Sequence, residues 1–463
     1  MLRADEGNCF SGSDAVPREH PTRGVHTTIV RHALLLAYHF PPLGGPTSER
    51  AVSLVRHLPA FGYSPTVVTG SGQADFWSPH DARALRRVPA GLRAERIMVP
   101  STGHRRARVE RLLALPTSFG RAFSAESSRV GRQFRGRVDI VICLFGPYEL
   151  AGAAMRLARE LDVPWIADLQ DPWALDEMWL YPTVLHRLID RRRMHRALKG
   201  AAAIVMNTNE AANRATEAFS DLEERRVHAI PNGFTAEDFP DEEPPRNPAF
   251  RIVHAGSMHT ELGLRHRRTR RIRTILGGMP VGGVDFLTRS HVYLLEAVDR
   301  QVRRDPSLAS ELEVHLVGPL TDADRTVAAR SSVVRLHGFL PRDRTAEIIR
   351  SADMLFLPMQ NLPPGVRAGI VPTKAYEYAA SGRPILAALP DGDARDFLSE
   401  LGTANIVRPD DVDGMETAIA AGYARWRDGN ALPQPNTQSL QAVEYRQIVR
   451  SIADVLDQVI ARE

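Results

Sequence analysis

The sequence predicts an α/β protein made of two doubly wound, parallel-sheet domains. Three observations lead there. From residue 32 onward, continuous apolar runs alternate with amphipathic stretches; strands that read as unbroken apolar runs are those covered on both faces, as in parallel sheets. The chain has 463 residues, too many for one ordinary core. An acidic, proline-rich stretch at 235–250, "TAEDFPDEEPPRNPAF", breaks the rhythm and reads as a linker.

Residues 1–27 mix acids and bases and carry no apolar segment of the signal-peptide kind, so they read as a disordered extension. The first domain, 28–240, opens with the strand "HALLLAY" and the helix "TSERAVSLVRHLPAFG", which stops at Gly62. The strand "SPTVVTG" follows; later come "VDIVICLF" (138–145), the helix "PYELAGAAMRLARELD", and the strands "VPWIAD", "AAAIVMN" and "RRVHAIPNGF". The second domain, 241–437, repeats the pattern with strands "RIVHAG", "LEVHLVG", "SVVRLHG", "DMLFLP", "PILAAL" and "ANIVRP". A last helix is expected at 438–462, and the segment 438–463 is expected to return to the first domain.

The composition, 43% hydrophobic and 25% charged, is that of a soluble globular protein. A net charge of only +4 argues against a dedicated nucleic-acid binder. Cys9 and Cys143 are too few for a disulfide framework or a zinc site, and Cys143, inside "DIVICLF", reads as a core residue. No apolar run approaches the roughly 20 residues that span a bilayer. The expectation is a cytoplasmic protein. Three arginine-rich segments lie at 103–113, 186–200 and 265–273. Each is either an ordinary amphipathic or solvated helix, or a contact for an anionic surface at the inner face of the plasma membrane.

Three stretches carry chemistry. In "AYHFPPLGGPTSER" a strand ends, Gly44 and Gly45 form a loop, and a helix opens near Thr47 or Ser48. Glycines let a ligand approach the backbone, and a helix N-terminus attracts anions. In "ADLQDPW", Asp168 and Asp171 lie at the carboxyl end of a strand, where open α/β sheets bind ligands. They can orient a sugar hydroxyl or act as a base; one can instead cap the turn.

The third stretch is "GVRAGIVPTKAYEYAASGRPILAA", 365–388. It contains Lys374, one of only two lysines with Lys199, in a chain that otherwise writes its cations as arginine. Thr373 is the expected N-cap of a short helix. The amides of Gly369, Ile370, Val371 and Thr373 can converge on an anion, and Lys374 adds a point charge suited to phosphate. Glu377, one turn in, is placed to accept from vicinal diol hydroxyls. Phosphate plus ribose is what a nucleotide presents. A surface Lys–Glu pair at i, i+3 would account for the charges but not for the strand–loop–helix context.

With these residues, 30–430 resembles the group 1 (family 4) glycosyltransferases of the GT-B fold, closest to the bacterial cell-surface polysaccharide type. The segments that carry the resemblance are "AYHFPPLGG", "VPWIADLQDPW", "AIPNGFTAEDF", "HAGSM", "LHGFLPRDRTAEIIRSADMLFLP" and "GIVPTKAYEYAASGRPILA". The resemblance implies two Rossmann-like domains, acceptor-binding then donor-binding, with the active site in the cleft between them. It places the second acid of the family's E-x7-E motif at Glu377, on the nucleotide ribose. The first acid falls on Gly369 and is missing. Ile370 to Thr373 would face the donor sugar and diphosphate, and Gly44–Gly45 would face the diphosphate from the other domain. The family's basic pair is absent from "HAGSMHTELG", and Arg289 is the expected substitute. The loop 337–341, with Gly338, sits where the base is read.

The implied activity is transfer of a sugar from a UDP- or GDP-sugar to a cell-surface glycan or lipid-linked acceptor. It is expected to be retaining and to need neither metal nor further cofactor. Lys374 would stabilise the leaving diphosphate, and Asp171 and Asp168 would act on the acceptor or sugar. The acid missing at 369 leaves open a non-catalytic GT-B scaffold that binds a nucleotide or a partner.

Overall fold

The computed structural model describes residues 30–74, 78–99, 104–240 and 245–462. The extension at 1–27 and the linker residues 241–244 lie outside the described residues.

The first sheet holds β1 (Arg31–Ala37), β2 (Tyr63–Thr69), β3 (Ala94–Arg96), β4 (Ile140–Phe145), β5 (Trp165–Leu169), β6 (Ala203–Met206) and β7 (Val227–Ala229). The second holds β8 (Phe250–Ala255), β9 (Leu312–Val317), β10 (Val334–Gly338), β11 (Met354–Pro358), β12 (Ile385–Ala388) and β13 (Ala404–Val407). Their strand orders are β3-β2-β1-β4-β5-β6-β7 and β10-β9-β8-β11-β12-β13, with every pairing parallel. The order reverses between β1 and β4 and again between β8 and β11. Connections leave in opposite directions at those points, and a crevice opens at the carboxyl ends of the strands.

The inner strands of each sheet are buried on both faces, which explains their largely apolar sequences. Along β1, Leu34 and Leu36 enter one layer with Val141 and Cys143, and Leu35 and Ala37 enter the other with Ile140 and Ile142. That is the period of two that a pleat imposes. The sequence pattern missed only β3, an edge strand whose three residues, Ala-Glu-Arg, include two charges.

The helices around the cleft and on the adjoining surface include α1 (Pro46–His57), α2 (His104–Leu112), α3 (Val184–Gly200), α4 (Asn209–Ala218), α5 (Thr260–Ile275), α6 (Thr373–Ala380) and α7 (Tyr445–Ile460). The single helix expected at 438–462 is instead two, Thr437–Ala442 and α7. The break comes where the backbone pairs with the chain after β7. Phe234 donates its N–H to the Val443 carbonyl at 3.1 Å, and Tyr445 donates to the Phe234 carbonyl at 2.9 Å. Beyond the break, α7 lies on the first domain. Ile448, Val449, Ile452 and Leu456 are buried in one layer with Ala51 and Val55 of α1, each such side chain contributing about 1.5–3 kcal/mol. Met178 and Leu180 of the first domain pack in turn against a layer of the second.

Candidate active site

A cleft of about 660 Å³ lies at the carboxyl ends of the two sheets, with walls from both domains. On the first-domain side the loop after β1 contributes Gly44, Gly45, Pro46 and Thr47. Gly45 is the N-cap of α1 at φ 102°, a conformation that strains any residue with a Cβ. No side chain caps this helix, so its free N–H groups and positive dipole end are directed to the cleft.

On the second-domain side stand Ile370, Val371, Pro372, Thr373, Lys374 and Glu377. Thr373 does not cap α6, contrary to the sequence expectation. The N-cap is Pro372, and no side-chain cap forms. The first amides of α6 thus stay available to a ligand. The helix is held from behind by its tyrosines. The Tyr376 ring lies 5.1 Å from that of Phe397, and the Tyr378 hydroxyl accepts the Ala255 N–H at 2.8 Å. Gly256, just after β8, gives Lys374 its room: a Cβ there would stand 3.2 Å from Lys374 Cε.

Lys374 Nζ lies 3.4 Å from Glu377 Oε2, and Arg342 Nη1 lies 2.9 Å from Glu377 Oε1. Burial pushes the Glu377 carboxyl up, but Lys374 and Arg342 outweigh it and hold the group below its usual range. Arg342 Nε also reaches Asp238 Oδ2 at 2.8 Å and Glu49 Oε2 at 3.6 Å. One guanidinium thus gathers three carboxylates from both sides of the cleft. A diol arriving at Glu377 shares that carboxylate with Arg342.

The floor of the cleft is acidic around one arginine. Asp171, Asp176 and Arg289 all line it. Asp176 Oδ1 accepts the Met178 N–H at 2.8 Å. Arg289 Nη1 lies 3.1 Å from Met178 Sδ and 3.5 Å from Gln360 Oε1. Burial, then the Glu177 and Asp171 charges, push the Asp176 carboxyl well up. Asp171 is open to solvent in the cleft; the surrounding cleft walls raise its carboxyl, with Arg289 opposing and Glu177 reinforcing. Nearby, His254 Nδ1 donates to the Phe356 carbonyl at 2.9 Å. Burial lowers this ring's pKa to about 4, so at neutral pH it is uncharged.

The structure gathers most of the residues singled out in the sequence and leaves three outside. Gly44, Gly45, Asp171, Arg289, Ile370, Val371, Thr373, Lys374 and Glu377 share the cleft. Asp168 does not reach it. This residue is 1% exposed, and its Oδ2 is held by Arg50 Nε at 2.8 Å in an ion pair with both side chains buried. Its chemistry is therefore spent inside the first domain. Gly338 forms the turn at φ 70° that ends β10, while its neighbours Phe339 and Leu340 provide the wall. Gly369 lies behind the wall, against the first domain: its carbonyl accepts from Thr208 Oγ1 at 2.9 Å.

Sequence reasoning missed Asp176, Arg342, Asp238 and Glu49. For Asp176 a signal existed, because "ADLQDPWALDE" sets several acids after one strand end. The other three sit in helix or linker context, where charges are ordinarily solvated. Among the described residues, no group of three His, Cys, Asp or Glu side chains is placed to hold a metal ion.

Two Rossmann-like sheets facing each other across a cleft built from loop amides, a lysine and an arginine define the GT-B class. Residues 45–233 match the family model of the glycosyl transferase 4-like domain, and residues 281–424 match that of the glycosyl transferases group 1. The chain belongs to the group 1 glycosyltransferases. Solved structures similar in fold include sucrose-phosphate synthase from Thermosynechococcus elongatus, with TM-score 0.63 and 14% identity over 94% of this chain and 100% of that one. Anabaena HepE, solved in complex with UDP and glucose, gives TM-score 0.57 and 13% identity over 92% and 99%. The lipopolysaccharide outer core galactosyltransferase WaaB in its apo form gives 0.53 and 9% over 92% and 99%. No curated protein sequence matches the chain.

Proposed function

We propose that the protein transfers a sugar from a nucleotide-diphosphate sugar to a glycan or lipid-linked acceptor of the bacterial cell surface, with retention and without a metal. The carrying observation is Lys374 and Glu377 at the uncapped start of α6, across one cleft from the uncapped start of α1. The two helix ends and Lys374 take the diphosphate, Arg289 joins them from the floor, and Glu377 takes the ribose diol. As the C1–O bond to the diphosphate breaks, its negative charge is met by fixed amide dipoles and the Lys374 ammonium. The acceptor oxygen bonds to C1 on the same face, and its proton passes to the departing phosphate oxygen. Asp171 orients the acceptor. The UDP complex of a protein of like fold supports the choice of donor class. A thermal-shift screen of UDP-, GDP- and dTDP-sugars tests it. At 100 times its dissociation constant a donor adds about 2.7 kcal/mol; a flat profile with all three would count against the assignment.

The surface supports an acceptor met at a membrane. The three arginine-rich segments, separate in sequence, adjoin in space. At the junction of α2 and α3, His186 Nε2 is 2.9 Å from the Leu112 carbonyl oxygen. Between α3 and α5, Val184 donates its N–H to the Leu276 carbonyl at 2.8 Å. Arg108, Arg111 and Leu112 share one face of α2 by their spacing, as do Arg268, Arg271, Ile272 and Ile275 on α5. All seven are exposed, Ile275 at 83%. Exposed leucine and isoleucine ringed by arginine suits an anionic bilayer, and each basic residue contributes about 1 kcal/mol there. Among the described residues no helix is long and apolar enough to cross a membrane, so the contact is peripheral. Sedimentation with phosphatidylglycerol vesicles should be lost near about 0.5 M salt, where the Debye length is about 4 Å. It should also drop in an R268E/R271E/I275D variant. No sedimentation of the native protein at low salt removes the membrane assignment and leaves the transferase one standing.

A further inference from the structure

At Gly369 the chain departs from the resemblance by lacking an acid, and the structure puts a carboxylate there from elsewhere. The Gly369 N–H donates to both oxygens of Glu177, at 3.2 and 3.3 Å. A Cβ on Gly369 would stand 3.3 Å from Glu177 Oε2 and 2.8 Å from Arg214 Nη1. The space a side chain at 369 needs is therefore filled by a carboxylate–guanidinium pair of the first domain. Glu177 comes from the segment after β5, and Arg214 from α4.

We propose that Glu177 is a positioning residue for the donor site, supplying from the first domain the carboxylate that the second domain lacks at 369. This rests on the donor assignment above.

Two elements of the cleft depend on Glu177. The first is the amide loop. The Gly369 peptide is held on its N–H by Glu177 and on its carbonyl by Thr208, and Ile370, Val371 and Thr373 follow directly into the cleft wall. Arg214 pairs with Glu177 at 2.7 Å and donates to the Arg367 carbonyl, so it fastens the same loop two residues earlier. The second element is Arg289. Gln360 Nε2 donates to Glu177 Oε1 at 3.0 Å, which leaves Gln360 Oε1 turned to Arg289 Nη1 at 3.5 Å. One carboxylate thus sets the direction of an amide that faces the cleft arginine.

Stability alone is a weak reason for such a group. Glu177 has no solvent exposure, and a buried ion pair recovers its desolvation only with full hydrogen bonding. Here that bonding is drawn largely from the other domain. The consequence is that the amide loop has its present shape only while the two domains are docked.

The carboxylate can be moved experimentally. The φ of Gly369 lies outside the positive range, so the backbone there admits a side chain, and the Arg214 contact is the tip of a flexible one. Three variants are compared with the native chain: E177Q, E177A and E177A/G369E. Hydrogen exchange reads the loop directly and without any substrate. In E177A the amides of 367–374 should exchange at least about tenfold faster while α7 is unchanged. With the donor found in the thermal-shift screen, E177A should lose about a hundredfold in kcat/KM, most of it in kcat, the scale of a misplaced catalytic group. E177Q should retain part of that activity. E177A/G369E should recover at least tenfold over E177A. Unchanged loop exchange in E177A overturns the positioning role whatever the donor proves to be. Faster exchange with full turnover overturns its link to the donor. A double variant that regains melting temperature but no activity reduces Glu177 to a fastener between domains. A native chain that turns over no nucleotide sugar counts against the donor assignment alone, because the exchange result still decides the loop.

Discussion

Asp168 and Glu177 are nine residues apart on one strand end and its following segment, and both are buried carboxylates paired with an arginine. They differ in whose donors they collect. Asp168 takes Arg50 at 2.8 Å, and Arg50 itself reaches the Pro231 carbonyl at 2.7 Å; every partner belongs to the first domain. Glu177 takes Arg214 from its own domain and Gln360 and Gly369 from the other. Burial is equal, so burial does not separate a structural acid from a functional one. The partners do.

The largest expected effect breaks the first pair. Asp168→Ala leaves a buried guanidinium without its counter-charge, a loss of about 3–5 kcal/mol. Denaturant unfolding should show it, while kcat per folded molecule stays at the native value. A D168A protein of native stability but lost activity would return Asp168 to the chemistry.

Lys374→Ala comes next. Charge on the leaving group grows in the transition state, and removing one oxyanion partner costs about 2.7–4 kcal/mol there. The loss should fall on kcat more than on donor affinity. A raised KM with untouched kcat would make Lys374 a partner of ground and transition state alike.

Glu377→Ala should weaken donor binding by about 1.5–3 kcal/mol, the scale of a hydrogen bond to a charged group. The variant also frees Arg342 from one of its carboxylates. Asp238 remains at 2.8 Å, so the arm should stay in place. Calorimetry giving native donor affinity would remove Glu377 from the ribose.

The most gradual effect is on pH, spread over several pH units. Burial lowers the pKa of His254 from 6.5 to about 4, and that of His259 to about 3. Both rings are neutral when folded and take a proton more readily once unfolded. The unfolded chain therefore binds more protons below pH 6.5, and stability falls as pH drops from there toward 4. Each ring contributes up to about 1.4 kcal/mol per pH unit. A His254→Gln variant should flatten the decline in melting temperature between pH 6.5 and 5; an unchanged slope would show that other groups carry it.

Much of the fold could be read along the chain because its signals are local. All six strands of the second sheet and six of the seven in the first announce themselves as apolar runs. Edge strand β3 does not, since an edge needs no apolar face on both sides. The α6 loop was legible for the same reason: Gly369 to Glu377 lie on one continuous strand–loop–helix. Thr373 as a cap was not, because Pro372 took that position.

The sequence by itself determined two doubly wound domains, the glycine turn before α1, and the Lys374–Glu377 pair on one helical turn. Propensity, periodicity and i, i+3 spacing act between near neighbours, and near neighbours are visible in a chain. Only the tertiary structure decided which acids do what. It turned Asp168 inward to Arg50, tied Glu377 to Arg342 35 residues away, and brought Glu177 to the bare backbone of a glycine 192 residues further on. Electrostatic pairing in a buried, low-dielectric place depends on distance in space, and the path of the chain between two charges does not enter it.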